Sequence, residues 1–239
     1  MYRRKTRIAA VILAIALAVS LLPGAALGAT LAQTRAADKL YTLGLLTGYG
    51  LDSSGKPIMN LDNIPKRTEA VTMLVRFLGK EQFAKALAST YAAPFTDVPT
   101  WAAPYVGYAY FSGLTGGVGN GKFGSGNNIG ADHYLTFLLR ALGYADNTDF
   151  KWNSPWTLTD SLGITSGQYG TGSKFTRGDM ALTSLNALYQ EYNKSGKTLL
   201  KALVDAGAVT MEQVLAAELD DALTVGGALP PAVSRPTPA

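Results

Sequence analysis

Three stretches of the chain carry apolar side chains at the period of an α-helix. Ala70, Leu74, Phe77 and Leu78 share one face of the first; Phe137, Leu138, Ala141 and Leu142 line the second; Ala181, Leu185 and Leu188 line the third. Each stretch follows a turn-rich or glycine-rich segment, and each segment follows another short helical pattern. The first unit runs from Leu43-Gly44-Leu45-Leu46-Thr47-Gly48 to Ile64-Pro65-Lys66-Arg67-Thr68-Glu69. The second runs from Phe111-Ser112-Gly113-Leu114-Thr115-Gly116 to Ile129-Gly130-Ala131-Asp132-His133. The third runs from Ser161-Leu162-Gly163-Ile164-Thr165 to Phe175-Thr176-Arg177-Gly178-Asp179. Internal similarity at this spacing marks a repeat architecture.

A single apolar stripe cannot be buried by its own unit, whereas three helices meeting around a common axis bury all three stripes together. The predicted fold is therefore all-α: a pseudo-threefold bundle of three helix–loop–helix repeats with Gly-rich loops. Thr176 and Asp179 have the spacing of a capping box, which starts the third unit's second helix at Arg177. Pro65 suits the first position of a helix, where its missing N–H costs nothing. Further on, Thr198 to Ala206 and Thr210 to Leu223 read as short helices, the first stopped by Gly207 and the second opened by Thr210 with Gln213. Pro230, Pro231, Pro236 and Pro238 then mark a tail with no periodic apolar pattern, expected to be disordered.

The start of the chain has a different pattern. Arg3, Arg4, Lys5 and Arg7 precede an apolar stretch from Ile8 to Leu22, and Pro23-Gly24 break it before Ala26-Leu27-Gly28. This is the form of a secretory signal peptide cleaved before Ala29. The stretch falls short of the ~20 residues that span a bilayer, so no membrane insertion is expected after cleavage. The leader also explains the formal charge of +4, since its four cations leave 17 basic against 17 acidic residues in the remainder. A neutral chain offers no broad basic face for nucleic acid.

Candidate chemistry is sparse. With no cysteine and His133 as the one histidine, neither a thiolate cluster nor a cage of imidazoles is available, and a histidine-based triad lacks support. His133 reads as a partly exposed side chain at a helix start. Gly119-Asn120-Gly121-Lys122-Phe123-Gly124 fits a dinucleotide fingerprint literally, but a helical segment precedes it rather than a strand. Its plain reading is a loop needing positive φ at several positions. The acids are scattered, and Glu69 and Asp179 are explained as capping residues, so no paired carboxylates for glycoside hydrolysis emerge. No enzyme, cofactor or metal site is predicted. Arg67 and Arg177 stand out because each sits at a helix start, where the macrodipole favours an acid. Either they grip an external anion, helped by the free N–H groups beside them, or they form structural salt bridges, for instance to Asp97 or Asp160. Lys66 adds a cation next to Arg67. Trp101 offers a flat apolar face for a sugar ring, while Tyr105 and Tyr108 are expected to pack in the core. Asp97 is expected to cap the helix beginning near Pro99.

Phe95-Thr96-Asp97-Val98 followed by Trp101-Ala102, with Thr176-Arg177-Gly178-Asp179 and Lys66-Arg67-Thr68-Glu69, resembles the S-layer homology family over roughly residues 36–192. The match departs where Ala131 replaces the helix-start arginine of the second unit, His133 stands where glutamate is expected, and Phe150-Lys151-Trp152-Asn153 replaces the third unit's opening. The resemblance implies noncovalent binding of an anionic, often pyruvate-bearing, secondary cell-wall polysaccharide, with Arg67, Arg177, Trp101, Lys66 and Asp97 as ligand-binding residues. It also implies a secreted protein held at the cell wall or S-layer. The alternative is an envelope assembly protein that uses the same fold for protein–protein contact. The implied division is a signal peptide (1–28), repeats at 29–92, 93–148 and 149–195, C-terminal helices (196–225) and the proline-rich tail (226–239).

Overall fold

The computed structural model describes residues 28–227. The expected leader, up to residue 27, and nearly all of the proline-rich tail lie outside the described residues. Those that are described form helices α1 (Leu31–Thr42), α2 (Arg67–Phe77), α3 (Glu81–Ala86), α4 (Ala103–Phe111), α5 (Ala131–Ala141), α6 (Trp156–Ser161), α7 (Arg177–Leu188), α8 (Leu199–Asp205) and α9 (Met211–Ala216). Short 3-10 turns span Thr100–Ala102 and Asp220–Leu223. Only isolated β-bridges join the loops, so the described fold is helical without a sheet.

The three apolar stripes are buried, and burial extends well beyond them. In α2, Val71, Met73 and Val75 are enclosed together with Ala70, Leu74 and Phe77; in α5, Tyr134, Leu135 and Leu139 join Phe137 and Leu138. A helix enclosed on several sides has neighbours on several sides, and α5 lies against both α2 and α7, while α1 packs along α7. Tyr134 hydrogen-bonds Ser184 across the α5–α7 contact at 2.7 Å, and full burial pushes its hydroxyl pKa up to about 12.

Local sequence sets the helix ends. Thr30 and Gln33 form a capping box on α1, and Thr176 and Asp179 form the expected one on α7, which begins at Arg177. Gln33 Nε2 also donates to Asp179 Oδ1 at 2.9 Å, tying the two helix starts together. At α2 the structure corrects the sequence reading: the helix begins at Arg67, and Pro65 lies outside it. Pro65 instead offers its carbonyl to Ile129 N at 3.0 Å, Asn127 O accepts from Arg67 N at 2.9 Å, and Glu69 accepts from Lys66 N at 2.8 Å. Free N–H groups at the α7 start are met in the same way by Asn63 O and Leu61 O, each at 2.8 Å. A second correction concerns residues 210–223, which are broken after Ala216: Glu218 turns at φ 53°, and Lys39 Nζ donates to the carbonyls of Ala217 and Glu218. Helix α3 has no counterpart among the elements expected from the sequence.

The first helix of each unit ends in the same turn. Gly44, Gly113 and Gly163 sit at φ 73°, 71° and 72°, and the next residue donates back to Leu40 O, Ala109 O and Thr159 O, each at 2.9 Å. This is the Schellman arrangement, whose left-handed residue is strained for anything but glycine. It gives a backbone register in which the three stretches compare. Thr47 is thereby equivalent to Gly116, one position away from the match suggested by the Leu-Thr-Gly strings.

Candidate functional site

Two cavities open beside these turns. One, of about 250 Å³, is walled by Leu46 to Tyr49 of the first loop, Glu69, Thr72 and Arg76 of α2, Trp101 and Arg177. The other, of about 470 Å³, is walled by Ser112 to Gly116 of the second loop, Arg140 of α5 and the Gly143 to Asp146 turn.

Arg177 reaches from the start of α7 into the first loop. Its Nη2 donates to Thr47 O at 2.6 Å, and its guanidinium carbon lies 4.8 Å from the centre of the Tyr49 ring. The side chain is 7% exposed, and no carboxylate pairs with it among the described residues. Its Nε and the Thr72 hydroxyl are buried without a protein partner. A desolvated cation without a counter-charge, lining the same cavity as a second unmet polar group, is unfavourable unless something else completes it. Arg76 stands on the same wall. It donates to Thr47 Oγ1 at 2.8 Å and pairs with both oxygens of Glu81 at 3.2 Å. Burial raises the Glu81 pKa, but hydrogen bonds from Lys85 and Tyr105, with the charge of Arg76, outweigh it and hold the carboxyl ionised. Trp101 is 56% exposed over this cavity. Glu69, whose other oxygen caps α2, accepts from Tyr49 OH at 3.1 Å.

Arg67 repeats the reach of Arg177 with a different outcome. Its Nη2 donates to Thr115 Oγ1 and Gly116 O, both at 3.1 Å, and Gly116 is the equivalent of Thr47. The guanidinium is held 4.9 Å from the Phe123 ring and 5.0 Å from the Phe137 ring. Its Nε, like that of Arg177, is buried without a protein partner, and no carboxylate pairs with it among the described residues; what differs is that at 6% exposed it lies behind the wall of the larger cavity rather than in it, where burial, with the nearby Arg140, lowers its pKa. The cation in that wall is Arg140, paired with Asp146 and donating to Leu114 O at 3.2 Å.

The third loop is closed on itself. Asp160 Oδ1 accepts from Thr165 Oγ1 and Gly167 N at 2.5 and 2.8 Å, and Asn186 Nδ2 donates to Ile164 O at 3.0 Å. Asp160 therefore pairs with neither arginine. Asp97 pairs with neither as well, and it does not cap the turn after Pro99. Its carboxylate accepts from the N–H groups of Phe123, Gly124 and Ser125 at 2.7, 2.9 and 3.0 Å, pinning the second loop. Lys66 Nζ donates to Asn128 Oδ1 at 2.7 Å and stays outside both cavity walls. Tyr105 is buried and Tyr108 half-buried as expected; His133 is exposed and bonds Asp132. The structure thus gathers Arg177 and Trp101 in one cavity and leaves Arg67, Lys66 and Asp97 elsewhere. Sequence reasoning missed Arg76, Arg140, Tyr49 and Thr72. A usable signal for two of them was present, since Arg76, Arg140 and Asn186 stand at one fixed distance from the helix starts Arg67, Ala131 and Arg177.

Residues 94–129, from Phe95 and Asp97 through α4 and the second loop, match the S-layer homology domain. A cell surface protein of Thermoanaerobacter kivui is 34% identical over 156 residues, covering 64% of this chain and 19% of the relative. A middle cell wall protein of Brevibacillus brevis is 30% identical over 157 residues (64% of this chain, 14% of the relative), and a surface layer protein of Brevibacillus choshinensis is 30% identical over 139 (57% and 12%). The chain spans less than a fifth of the length of each of these relatives. The segment 94–129, with its Phe-x-Asp-Val opening and exposed tryptophan, is thus similar to the S-layer homology domain, within a chain similar over 64% of its length to a bacterial cell surface protein.

Proposed function

We propose that this chain is a noncatalytic anchor, exported and held at the cell wall by noncovalent binding of an anionic secondary cell-wall polysaccharide. The observation that carries the reading is Arg177: a nearly enclosed guanidinium, unpaired by any carboxylate among the described residues, opening onto a cavity with Arg76 and a half-exposed Trp101. A sugar-borne carboxylate, such as a pyruvate substituent, fits there because it accepts two parallel bonds from a guanidinium while the indole face covers the ring. The cell-surface and cell-wall proteins to which the chain is similar support the same setting.

The three units at 29–92, 93–148 and 149–195 form a pseudo-threefold bundle in this reading, followed by the helices of 196–225. Each helix-start arginine serves the loop of a neighbouring unit: Arg67 reaches the second loop and Arg177 the first. Position 131 is then the one left to serve the third loop, where Asp160 already satisfies the donors and Ala131 supplies no cation. The groove contributing least is the third one, although the missing arginine belongs to the second unit.

Sedimentation with cell walls tests the proposal. The chain from residue 29 onward sediments with walls carrying their secondary polymer and stays in solution with peptidoglycan stripped of it. Equal binding to both overturns the polysaccharide assignment, and binding to neither overturns anchoring in favour of contact between proteins.

A further inference from the structure

Arg177 and Arg67 are equally enclosed, but the rings that enclose them differ. Arg67 has Phe123 and Phe137 over its guanidinium, 0% and 2% exposed and both part of the core. The ring over Arg177 is Tyr49, which is 51% exposed. A side chain embedded in a close-packed core has no room to turn, whereas one with half its surface in water changes rotamer readily once its contacts break. The backbone at Tyr49 is pinned, since Tyr49 N donates to Ile58 O and Ile58 N to Gly50 O, both at 2.9 Å, so the loop stays in place when the ring turns. Its chain neighbours, Gly48 and Gly50, carry no side chain to hinder the turn. What holds the side chain is Glu69, whose Oε1 accepts from the hydroxyl at 3.1 Å, together with the charge of Arg177 against the ring.

We infer that Tyr49 is a side-chain lid on Arg177, latched shut by Glu69 and opened by rotation of the ring away from the guanidinium. The inference rests on the anion-binding role proposed for Arg177, and it supplies the access that role requires, because a guanidinium that is 7% exposed offers little to an incoming carboxylate until its cover moves. Tyr49, Glu69 and Arg177 line the same cavity, so a ring that turns outward uncovers the cation towards that space. The latch itself stays fixed: the other oxygen of Glu69 accepts from Lys66 N at 2.8 Å and caps α2, so the acceptor does not follow the ring. Closed, the lid gives an otherwise unpaired cation the negative face of an aromatic ring. An anion favours the open state, since a charge-assisted pair with a guanidinium is stronger than that ring contact.

The test reads Arg177 directly, with phenylglyoxal as the probe and peptide mass mapping of the full chain as the readout. Tyr49→Phe keeps the ring and removes the latch. Arg177 is expected to react about fivefold faster in this variant than in the parent, the factor that one hydrogen bond of ordinary strength is worth, and faster again in Tyr49→Ala. Arg67, closed in by core rings, stays slow, the exposed Arg35 stays fast, and the melting temperature of Tyr49→Phe is unchanged. The lid is overturned if Arg177 reacts at the parental rate in both variants, or if Arg67 accelerates in step with it, which marks a general loosening. If Tyr49→Ala melts early, Tyr49→Phe carries the comparison alone. Sedimentation with walls carrying their secondary polymer separates the lid from the anchoring role. With lid and grip both correct, Tyr49→Phe binds those walls up to about fivefold more tightly, since a site closed part of the time binds with an affinity reduced by its open fraction. Faster reaction at Arg177 with parental wall binding upholds the lid and removes Arg177 as the grip on the polymer.

Discussion

Arg67 and Arg177 each begin a helix and reach into a loop distant in sequence, and the structure predicts different consequences for their removal. Arg177→Ala removes one hydrogen bond to Thr47 O and one ring contact with Tyr49, together worth about 1 to 3 kcal/mol, and relieves a desolvated cation that has no counter-charge. These terms oppose, so folding stability changes by about 1 kcal/mol or less, or roughly 2–4 °C in melting temperature for a chain of this size. Binding suffers more. Without the two-pronged, charge-assisted grip on the anion, affinity falls by ~1.5 to 3 kcal/mol, roughly tenfold to a hundredfold. Arg67→Ala removes two hydrogen bonds and vacates the space between Phe123 and Phe137; it also relieves a desolvated cation without a carboxylate partner, but the lost packing between two rings outweighs that relief and lowers stability by about 2 kcal/mol. Any loss of wall binding then follows the unfolded fraction. Arg177→Lys keeps the charge without the paired geometry and restores part of the affinity. Paired melting curves and wall-binding isotherms, corrected for the folded fraction, measure all three variants. A large stability loss for Arg177→Ala with full affinity in its folded fraction would refute the reasoning, and so would a selective affinity loss for Arg67→Ala at parental stability.

Trp101→Ala, altering a side chain that is 56% exposed, is expected to weaken polymer binding several-fold without lowering the melting temperature, and parental tryptophan fluorescence should shift on binding. For Asp97, burial raises the pKa, but three backbone N–H groups outweigh it and hold the folded value below the ordinary one. Its stabilising contribution is therefore present above the unfolded carboxylate pKa of ~3.9 and is lost as pH falls through the folded value. Asp97→Asn should melt earlier at neutral pH and show a flatter acid limb, and an unchanged acid limb would remove Asp97 as its cause. Intact-mass measurement of exported protein should show a chain beginning at Ala29, and a species retaining Arg3 to Arg7 in the envelope would indicate a retained anchor instead.

The amino-acid order determined the helices, because their signals are local. The Thr176/Asp179 box, the Thr210/Gln213 box and the apolar period of α2, α5 and α7 each lie within a few turns of chain and are legible as they stand. Register is less legible: the Leu-Thr-Gly strings match by identity, yet the backbone aligns Gly44 with Gly113 and Gly163, since a left-handed φ is a stronger constraint than a shared side chain. Pro65 and the segment after Ala216 mislead for a related reason, as the groups completing those ends, the Ile129 N–H and the Lys39 ammonium, come from distant parts of the chain. Asp97 shows the same limit, since its three donors belong to a loop that only folding brings beside it. The candidate site depended on tertiary structure most of all. Two arginines that each begin a helix and are equally buried differ in what they meet: one enters a loop backed by Phe123 and Phe137 and lies behind a cavity wall, while the other enters a loop bearing Tyr49 and forms part of a cavity wall. Local propensity sets where such a side chain begins; the neighbour it meets sets its solvation, and solvation decides whether a cation supports the core or receives an anion.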